Sequence, residues 1–422
     1  MRVRIEMKTK TLGLKNAGFF QRHRCALFFF LYVVLYNFII TNRCQLWQVS
    51  LSAHTFHLVD YSVGFCTRVL PGAIYQGLFG VHGNRTITSV YETLLLLLFF
   101  LVLAFVLETV LNHVDESDRV IGLFVIILFL SGPCTFSIFV DELGMLDVYW
   151  VFFALLFFLC LKSKWARWLI PAICFAVLLV NLSAMISYIV MFFIVMLYKM
   201  MTEEKKKSWI ILFSLSLVVT LATFFYFLRF ETSNLLLTMD EFNAMLDRKG
   251  GGYKIYYDYY FYGETWEQEL RLLTVPDAGI GKLFVNLINK IIVNYTIVMQ
   301  DFAFDYFAGS FFCLVTILPV VVCIYKGIIA AIKMEQTNRK KNFALVLMLV
   351  QFPFTVILGG LFSIDLMRWI SHAFIILFAM FLFLVKDKRT VSLLSIYINL
   401  KNPLFYIWTF LYIFTWSSAY SG

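Results

Sequence analysis

Long apolar runs separated by short basic segments dominate the hydrophobicity pattern of this chain. Residues 94–107, 210–228 and 373–385, for example, contain no charged side chain. A helix needs about 20 mostly apolar residues to cross a bilayer, whereas a transmembrane strand would alternate apolar and polar residues over about ten positions. The continuous runs therefore predict membrane-spanning helices.

The runs predict an all-α polytopic membrane protein with about eleven transmembrane helices. The predicted spans are 25–41, 93–111, 120–139, 148–161, 168–182, 184–198, 209–228, 307–325, 342–360, 370–385 and 403–418. Both long extracytoplasmic loops, within 42–92 and 229–306, are expected to contain interfacial helices, one of them at 284–299. The resulting divisions are a cytoplasmic leader (1–24), an N-terminal transmembrane core with the first outer loop (25–228), a second outer loop (229–306) and C-terminal transmembrane helices (307–422).

Segment 168–198 is the least certain part of this layout, because it is long for one span and short for two. Both of its flanks are basic, which favours a tight hairpin that turns near Asn181 to Ser187. A single tilted helix is the alternative, and it would invert the orientation of every later span.

Composition supports a membrane protein. The chain is 61% hydrophobic and 14% charged, with a mean hydropathy of +0.82, so it has too little charge to cover a soluble domain. The net charge of +9 follows from topology, since basic residues concentrate in the leader and in alternate short loops, which the positive-inside rule assigns to the cytoplasm. A nucleic-acid partner is not expected, because the positive charge gathers on no single predicted face. We expect an integral protein of a plasma membrane, such as a bacterial inner membrane.

Several charged residues come to the outer face under this topology. They are Asp60, Arg68, Asp141, Glu142, Asp147, Asp365 and Arg368. A charged group at the centre of a membrane helix costs about 2.5–3.5 kcal/mol, so the acids of 140–147 are expected at a membrane mouth or in a hydrated cavity. A bend at Gly144 would let Asp147 act as the N-cap of the following helix, whereas Asp141 and Glu142 have no such structural role.

Two pairs of residues, each an acid and an arginine, could bind a lipid phosphate or act on a substrate that carries one. Asp60 and Arg68 could supply a general base and a bidentate phosphate ligand, or they could form an ordinary interfacial ion pair. Asp365 and Arg368 share a helix face, which suits either a self-satisfied pair or a phosphate contact through Arg368. A metal site at the two histidines of the first outer loop, positions 54 and 57, would need a third ligand.

The chain resembles the GT-C class of integral-membrane glycosyltransferases. The resemblance rests on Asp60 in its loop and on the segment Phe139-Val-Asp-Glu-Leu-Gly-Met-Leu-Asp147, which looks like the Gly-x-x-Asp type of motif at the start of the fourth helix of those enzymes. It implies transfer of a sugar from a polyprenyl-phosphate-linked donor to a glycan or lipid acceptor on the outer face, with inversion at the anomeric carbon.

The resemblance also implies residue roles. Asp60 takes the role of the catalytic base, while Arg68 or Arg368 holds the donor phosphate and Asp141 or Glu142 contacts the acceptor or a metal. Many members of the class have two close acids in the first loop, whereas Asp60 stands alone until Glu92. A divalent metal would therefore need Asp141 or Glu142 as a ligand; no other cofactor is expected.

Two other functions fit the same layout. An outer-face polysaccharide polymerase or ligase would rely on arginines of the large loops, here Arg229, Arg248 and Arg271. An ion-coupled transporter or flippase would instead place acids at mid-membrane depth and show an internal repeat. No repeat is evident in the sequence.

Overall fold

All the regular structure that can be described in this chain is helical. The structure, a computed structural model, describes residues 19–40, 48–80, 84–114, 119–136, 139, 143–203, 206–230, 236–250, 303–334, 339–362, 366–385, 407–409 and 412. The predicted interfacial helix at 284–299, and most of the second outer loop, lie outside these residues, as does most of the last predicted span.

The α-helices follow the apolar runs. Their bounds are α1 Phe19–Arg22, α2 Arg24–Ile40, α3 Leu51–Leu58, α4 Leu70–Phe79, α5 Arg85–His113, α6 Arg119–Leu130, α7 Pro133–Phe136, α8 Leu146–Cys160, α9 Ile170–Val180, α10 Tyr188–Thr202, α11 Lys206–Phe230, α12 Met239–Arg248, α13 Ala303–Met334, α14 Arg339–Phe362 and α15 Leu366–Val385. Short 3₁₀ helices cover Tyr61–Val63, Ala166–Leu169 and Leu182–Ile186.

Six helical segments in the described part of the chain are long and apolar enough to cross a membrane. They are Arg85–Asn112, Leu182–Thr202, Lys206–Phe227, Ala308–Lys333, Asn342–Leu361 and Leu366–Val385. Three further apolar helices are shorter: Arg24–Tyr36, Leu146–Cys160 and Ala166–Val180. The prediction of an all-helical membrane protein is thus confirmed for the described residues, with six helices of sufficient length.

The helix is interrupted in the segment where the sequence predicts a hairpin turn. α9 ends at Val180, and the Asn181 side chain accepts a hydrogen bond from Ser183 N at 3.0 Å. This caps the 3₁₀ helix that precedes α10. Asn181 has an extended backbone, and its side chain is hydrogen-bonded to the backbone two residues ahead. Such local bonding is an alternative to the hydrogen bonds of a continued α-helix, which explains the interruption.

α15 occupies the centre of the bundle. Of its most apolar stretch, 78% is buried inside the protein, against 28% for α11. It packs on α13 and α14, and its Phe378 ring stacks on Phe129 of α6 at 3.8 Å between ring centres. The lower burial of α11 leaves much of its apolar surface for lipid contact.

Ring and side-chain contacts show that α8, α10 and α15 run in the same direction. At their N-terminal ends, Trp150 and Tyr188 both contact His372. Towards their C-terminal ends, Phe158 and Tyr198 both contact Phe383. α5 runs with them, because its Glu92 meets Tyr149 and its later residue Phe99 meets Phe152.

The described part of segment 42–92 packs at the N-terminal end of this set of helices. α3 lies against α4 and the start of α5, and the Arg68 N–H donates to the Leu179 carbonyl at the end of α9. Gly72 permits the close approach of α4, because a Cβ there would lie 1.8 Å from the Val59 carbonyl oxygen. The loop therefore forms a fixed cover over one end of the bundle.

Candidate functional site

The N-terminus of α8 carries the polar residues around which the candidate site is built. Gly144 has φ of +79°, a left-handed conformation that glycine adopts without a steric penalty. The bend predicted at Gly144 is therefore present. α8 then begins at Leu146 with Met145 as its N-cap, so the interpretation of Asp147 as the N-cap is wrong. Asp147 lies in the first helical turn instead, and its side chain has a distant partner.

That partner is Arg368, on α15. Arg368 Nη1 donates to Asp147 Oδ2 at 3.0 Å, and the His372 Nε2 atom lies 3.8 Å from the same oxygen. The Asp147 side chain is 7% exposed, whereas the Arg368 side chain is 30% exposed. The Tyr188 hydroxyl and His372 Nδ1 are hydrogen-bonded at 2.8 Å, and the edge of the Trp150 ring also contacts His372. A buried carboxylate thus holds an arginine that can still reach a ligand.

A second cluster connects α8 to the first outer loop. His57 Nε2 lies 2.6 Å from Glu92 Oε1 and 3.0 Å from the Tyr149 hydroxyl, which donates a short hydrogen bond to the same Glu92 oxygen. His57 Nδ1 lies 2.6 Å from the Ala53 carbonyl oxygen. The side chains of His57 and Glu92 are fully buried. Glu92 Oε2 has no hydrogen-bond partner among the described residues.

The third cluster contains Asp60. Its Oδ1 accepts hydrogen bonds from both the N–H and the hydroxyl of Ser62, and its Oδ2 lies 3.1 Å from Lys249 Nζ. The same ammonium group donates to the Leu58 carbonyl at 3.1 Å and to Gln76 Oε1 at 2.8 Å. The Lys249 side chain is 8% exposed and that of Asp60 is 22% exposed. The carboxylate is therefore oriented by fixed donors and remains partly accessible.

Short links connect the three clusters. Gln76 Nε2 donates to the His57 carbonyl at 3.3 Å, which joins the Asp60 cluster to the His57 cluster. Tyr149 and Asp147 are two residues apart at the start of α8, which joins the His57 cluster to Arg368. The clusters thus form one polar layer at the N-terminal end of α5, α8, α10 and α15.

Two groups outside the membrane helices have displaced pKa values: Asp60 of this layer, and His54, which lies one turn before His57 on α3. Burial alone would raise the pKa of Asp60, but the hydrogen bonds from Ser62 and the ammonium group of Lys249 outweigh it, and the pKa lies below its usual value. Burial, together with the nearby His57 and Arg85, lowers the pKa of His54 to about 4. At neutral pH, Asp60 is therefore ionised and His54 is neutral.

The structure places four of the seven predicted site residues. Asp60, Asp147 and Arg368 belong to the polar layer. Arg68 adopts a left-handed backbone conformation with φ of +68°, next to the end of α9. The other three, Asp141, Glu142 and Asp365, lie outside the described residues.

Several residues in and around the layer are not predicted by the sequence. Its patterns do not single out Lys249 or Tyr149, and they mark Glu92 only as the next acid after Asp60. The two histidines, positions 54 and 57, stand out only as possible metal ligands. A carboxylate in the first third of an apolar helix, where burial requires a partner, was a usable signal for Glu92. Among the described residues, no three His, Cys, Asp or Glu side chains lie together in a way that could hold a metal ion.

The fold and the polar layer define an α-helical membrane protein with a charged site at one end of its helical bundle. Comparisons with protein-family models, with curated proteins and with solved structures gave no significant match to this chain.

Proposed function

We propose that this protein is an integral-membrane glycosyltransferase. It transfers a sugar from a polyprenyl-phosphate-linked donor to a glycan or lipid acceptor at the extracytoplasmic face, as a step in cell-envelope glycan assembly. The observation that carries the proposal is the polar layer itself. It combines an ionised, partly exposed carboxylate, Asp60, with a partly exposed guanidinium, Arg368, at the same end of the bundle. A substrate with a lipid tail and a phosphate needs such groups next to apolar helices.

The proposal includes a topology of about eleven spans with the N-terminus in the cytoplasm. In that topology, the spans that correspond to α5, α8, α10 and α15 all cross from outside to inside. Their shared direction in the bundle supports this arrangement. The polar layer then faces outside, and the basic ends of these helices face the cytoplasm.

The proposed reaction is a direct displacement at the anomeric carbon of the donor sugar. The acceptor oxygen attacks the anomeric carbon, a new glycosidic bond forms, and the bond from that carbon to the donor phosphate oxygen breaks. The acceptor hydroxyl gives its proton to the Asp60 carboxylate, and the lipid phosphate leaves with the electron pair of the broken bond. Attack opposite the leaving group inverts the anomeric configuration.

The other residues have supporting roles in this proposal. Arg368 binds the donor phosphate, and Asp147 orients the guanidinium from its buried side. Arg68 is a second candidate phosphate ligand. Asp141 or Glu142 is proposed to contact the acceptor or a divalent metal, and Asp365 is proposed to help orient Arg368 at the phosphate.

The alternatives predict different sensitive residues. A polysaccharide polymerase or ligase would depend on Arg248, which ends α12 on the outer side of the proposed topology. A transporter would depend on buried acids of the helices, and Glu92 and Glu108 are both buried within α5. Glu108, however, lies near the end of α5. Its Oε2 lies 2.8 Å from His23 Nδ1, and its Oε1 accepts a hydrogen bond from Ala26 N at 3.3 Å, so it connects the end of α5 to the start of α2.

The test is a transfer assay with purified protein in liposomes, supplied with polyprenyl-phosphate-linked sugars. We expect Asp60→Ala to abolish transfer, because no other described carboxylate occupies its position beside Lys249. Asp240→Ala, an exposed aspartate of α12, is the matched control and should retain transfer. Full transfer by Asp60→Ala would refute the assignment of the base. Loss in Arg248→Gln with retention in Asp60→Ala would favour the polymerase.

A further inference from the structure

An apolar cavity lies inside the bundle, on the opposite side of Tyr188 from the polar layer. The space between its walls, including open solvent at its mouth, is about 1000 Å³. The walls come from α5, α6, α8, α10 and α15, and they include Phe99, Val151 and Phe378. Tyr188, whose hydroxyl is hydrogen-bonded to His372, closes the end of the cavity that is nearest the polar layer. The cavity therefore does not belong to the Asp60 and Arg368 site.

The mouth of the cavity carries positive charge. Lys162, just after α8, and Lys199, in the last turn of α10, both line it. Lys199 Nζ contacts Glu203 at 3.0 Å and lies 5.4 Å from the centre of the Phe383 ring. Lys162 is exposed and forms no ion pair with any described residue. Of these two lysines, Lys199 thus has Glu203 as a described partner.

Further charges flank the mouth without lining it. Lys164 is exposed in the same loop, and the Arg167 guanidinium lies over the Trp209 ring at 5.3 Å. In the described loop 161–169 and the end of α10, basic side chains therefore outnumber acidic ones. Trp165 in this loop is 87% exposed, and exposed tryptophan beside lysine is typical of the headgroup level of a membrane. The mouth therefore lies where lipid phosphates are found.

We propose that this cavity binds one anionic phospholipid from the membrane leaflet on the side of the basic loops. One chain fills the apolar walls, and the phosphate lies between Lys162 and Lys199. A gap between apolar helix faces forfeits packing contacts when it is empty, and lipid is the solvent available to fill it. Because lipid tails are as apolar as the cavity walls, selectivity for the lipid must come from its headgroup charge.

Native mass spectrometry and lipid titration of the purified protein test this proposal. We expect one phosphatidylglycerol per protein, with phosphatidylcholine binding at least about fivefold more weakly, as expected for about 1 kcal/mol per lysine near a phosphate. Glycerol phosphate, which lacks the chains, should not bind. Equal affinity for phosphatidylcholine, or binding of glycerol phosphate alone, would overturn the proposal.

Two matched variants locate the site. Lys162→Glu should weaken phosphatidylglycerol binding by at least about fivefold, whereas Lys164→Glu, with the same charge change two residues away, should leave it within about twofold. Ala379→Phe places a ring in the cavity and should remove the bound lipid. Equal loss in Lys162→Glu and Lys164→Glu would mean binding by general surface charge. Retention in Ala379→Phe would mean that the chain lies elsewhere. Both results are independent of sugar transfer, which depends on the other end of the bundle.

Discussion

Asp147 and Arg368 are 221 residues apart in the chain, yet Arg368 Nη1 lies 3.0 Å from Asp147 Oδ2. The pair joins the start of α8 to the first turn of α15, the most buried of the six long apolar helices in the described part of the chain. It therefore fixes the position of the exposed part of the guanidinium relative to α8.

Removing Arg368 and removing Asp147 should lower the free energy of unfolding by different amounts. Arg368→Met leaves the buried Asp147 carboxylate without its main partner, and we expect a loss on the order of 3 kcal/mol. Asp147→Asn leaves a partly exposed guanidinium that can reach water, so its cost should be smaller. Thermal denaturation in detergent measures both variants. Arg248→Gln on the surface of α12 serves as the control, with a change within about 0.5 kcal/mol. Equal losses in Arg368→Met and Asp147→Asn would contradict this asymmetry.

The hydroxyl of Tyr149 should contribute more to stability than that of an exposed tyrosine. Tyr149→Phe removes a donor to Glu92 and leaves His57 and Glu92 to satisfy each other inside the protein. We expect a cost of about 1–3 kcal/mol, as for other buried polar groups that lose a partner. Tyr226→Phe, at a tyrosine of α11 that is 39% exposed, is the comparison and should cost less than Tyr149→Phe. The same denaturation measurement compares them, and indistinguishable midpoints would contradict the role of the cluster.

Gly144 should tolerate no side chain. Gly144→Ala strains a backbone at φ of +79° and puts a Cβ 3.1 Å from Val49 and 3.2 Å from both Ala53 and Glu92. The expected cost is at least about 1–2 kcal/mol. Gly77→Ala is the matched control, because a Cβ in that position of α4 meets nothing within 4 Å. It should stabilise the protein by about 0.5–1 kcal/mol. A neutral Gly144→Ala would show that the bend at the start of α8 can relax.

His54 should make stability depend on pH. Its folded-state pKa of about 4 lies below the ordinary 6.5, so the unfolded chain binds the proton more readily. The stabilising contribution is full above about pH 6.5 and is lost as the pH falls towards 4. His54→Asn keeps a polar atom near the Thr88 hydroxyl, which lies 2.9 Å from His54 Nδ1, but does not titrate. Denaturation midpoints at pH 7.5 and 5 should differ less in His54→Asn than in the wild type.

The control for that measurement is Thr88→Val, which removes the hydrogen bond without removing a titrating group. It should lower the midpoint by a similar amount at both pH values. A wild type and His54→Asn with the same pH dependence would show that other groups cause it.

The pair formed by Lys249 and Asp60 should set the acid limb of the proposed transfer activity. Transfer needs an ionised Asp60, and its pKa lies below the usual value. Wild-type activity should therefore be insensitive to Asp60 protonation at pH 5 and above. Lys249→Met removes a nearby positive charge and raises the pKa of Asp60, so the acid limb should move to higher pH. An acid limb at the same pH in both proteins would mean that Asp60 is not the group that titrates.

The sequence alone indicated the positions of the six long apolar helices in the described part of the chain, because a membrane helix is specified by a local run of apolar residues. The predicted interruption between Asn181 and Ser187 and the bend at Gly144 are equally local, since each depends on a few adjacent residues. The sequence also identified Asp60, Asp147 and Arg368 as residues that needed an explanation, because charge next to apolar helices is costly wherever the chain places it.

Only the tertiary structure decided which of these residues are partners. Arg368 pairs with Asp147, which lies 221 residues earlier in the chain, and Asp60 pairs with Lys249, which lies 189 residues later. The helix-cap interpretation of Asp147 failed for the same reason, because a local rule cannot foresee a partner on another helix. Such pairs depend on which helix faces meet when the bundle packs, and hydrophobic periodicity fixes those faces only weakly in a membrane, where lipid and protein interior are equally apolar.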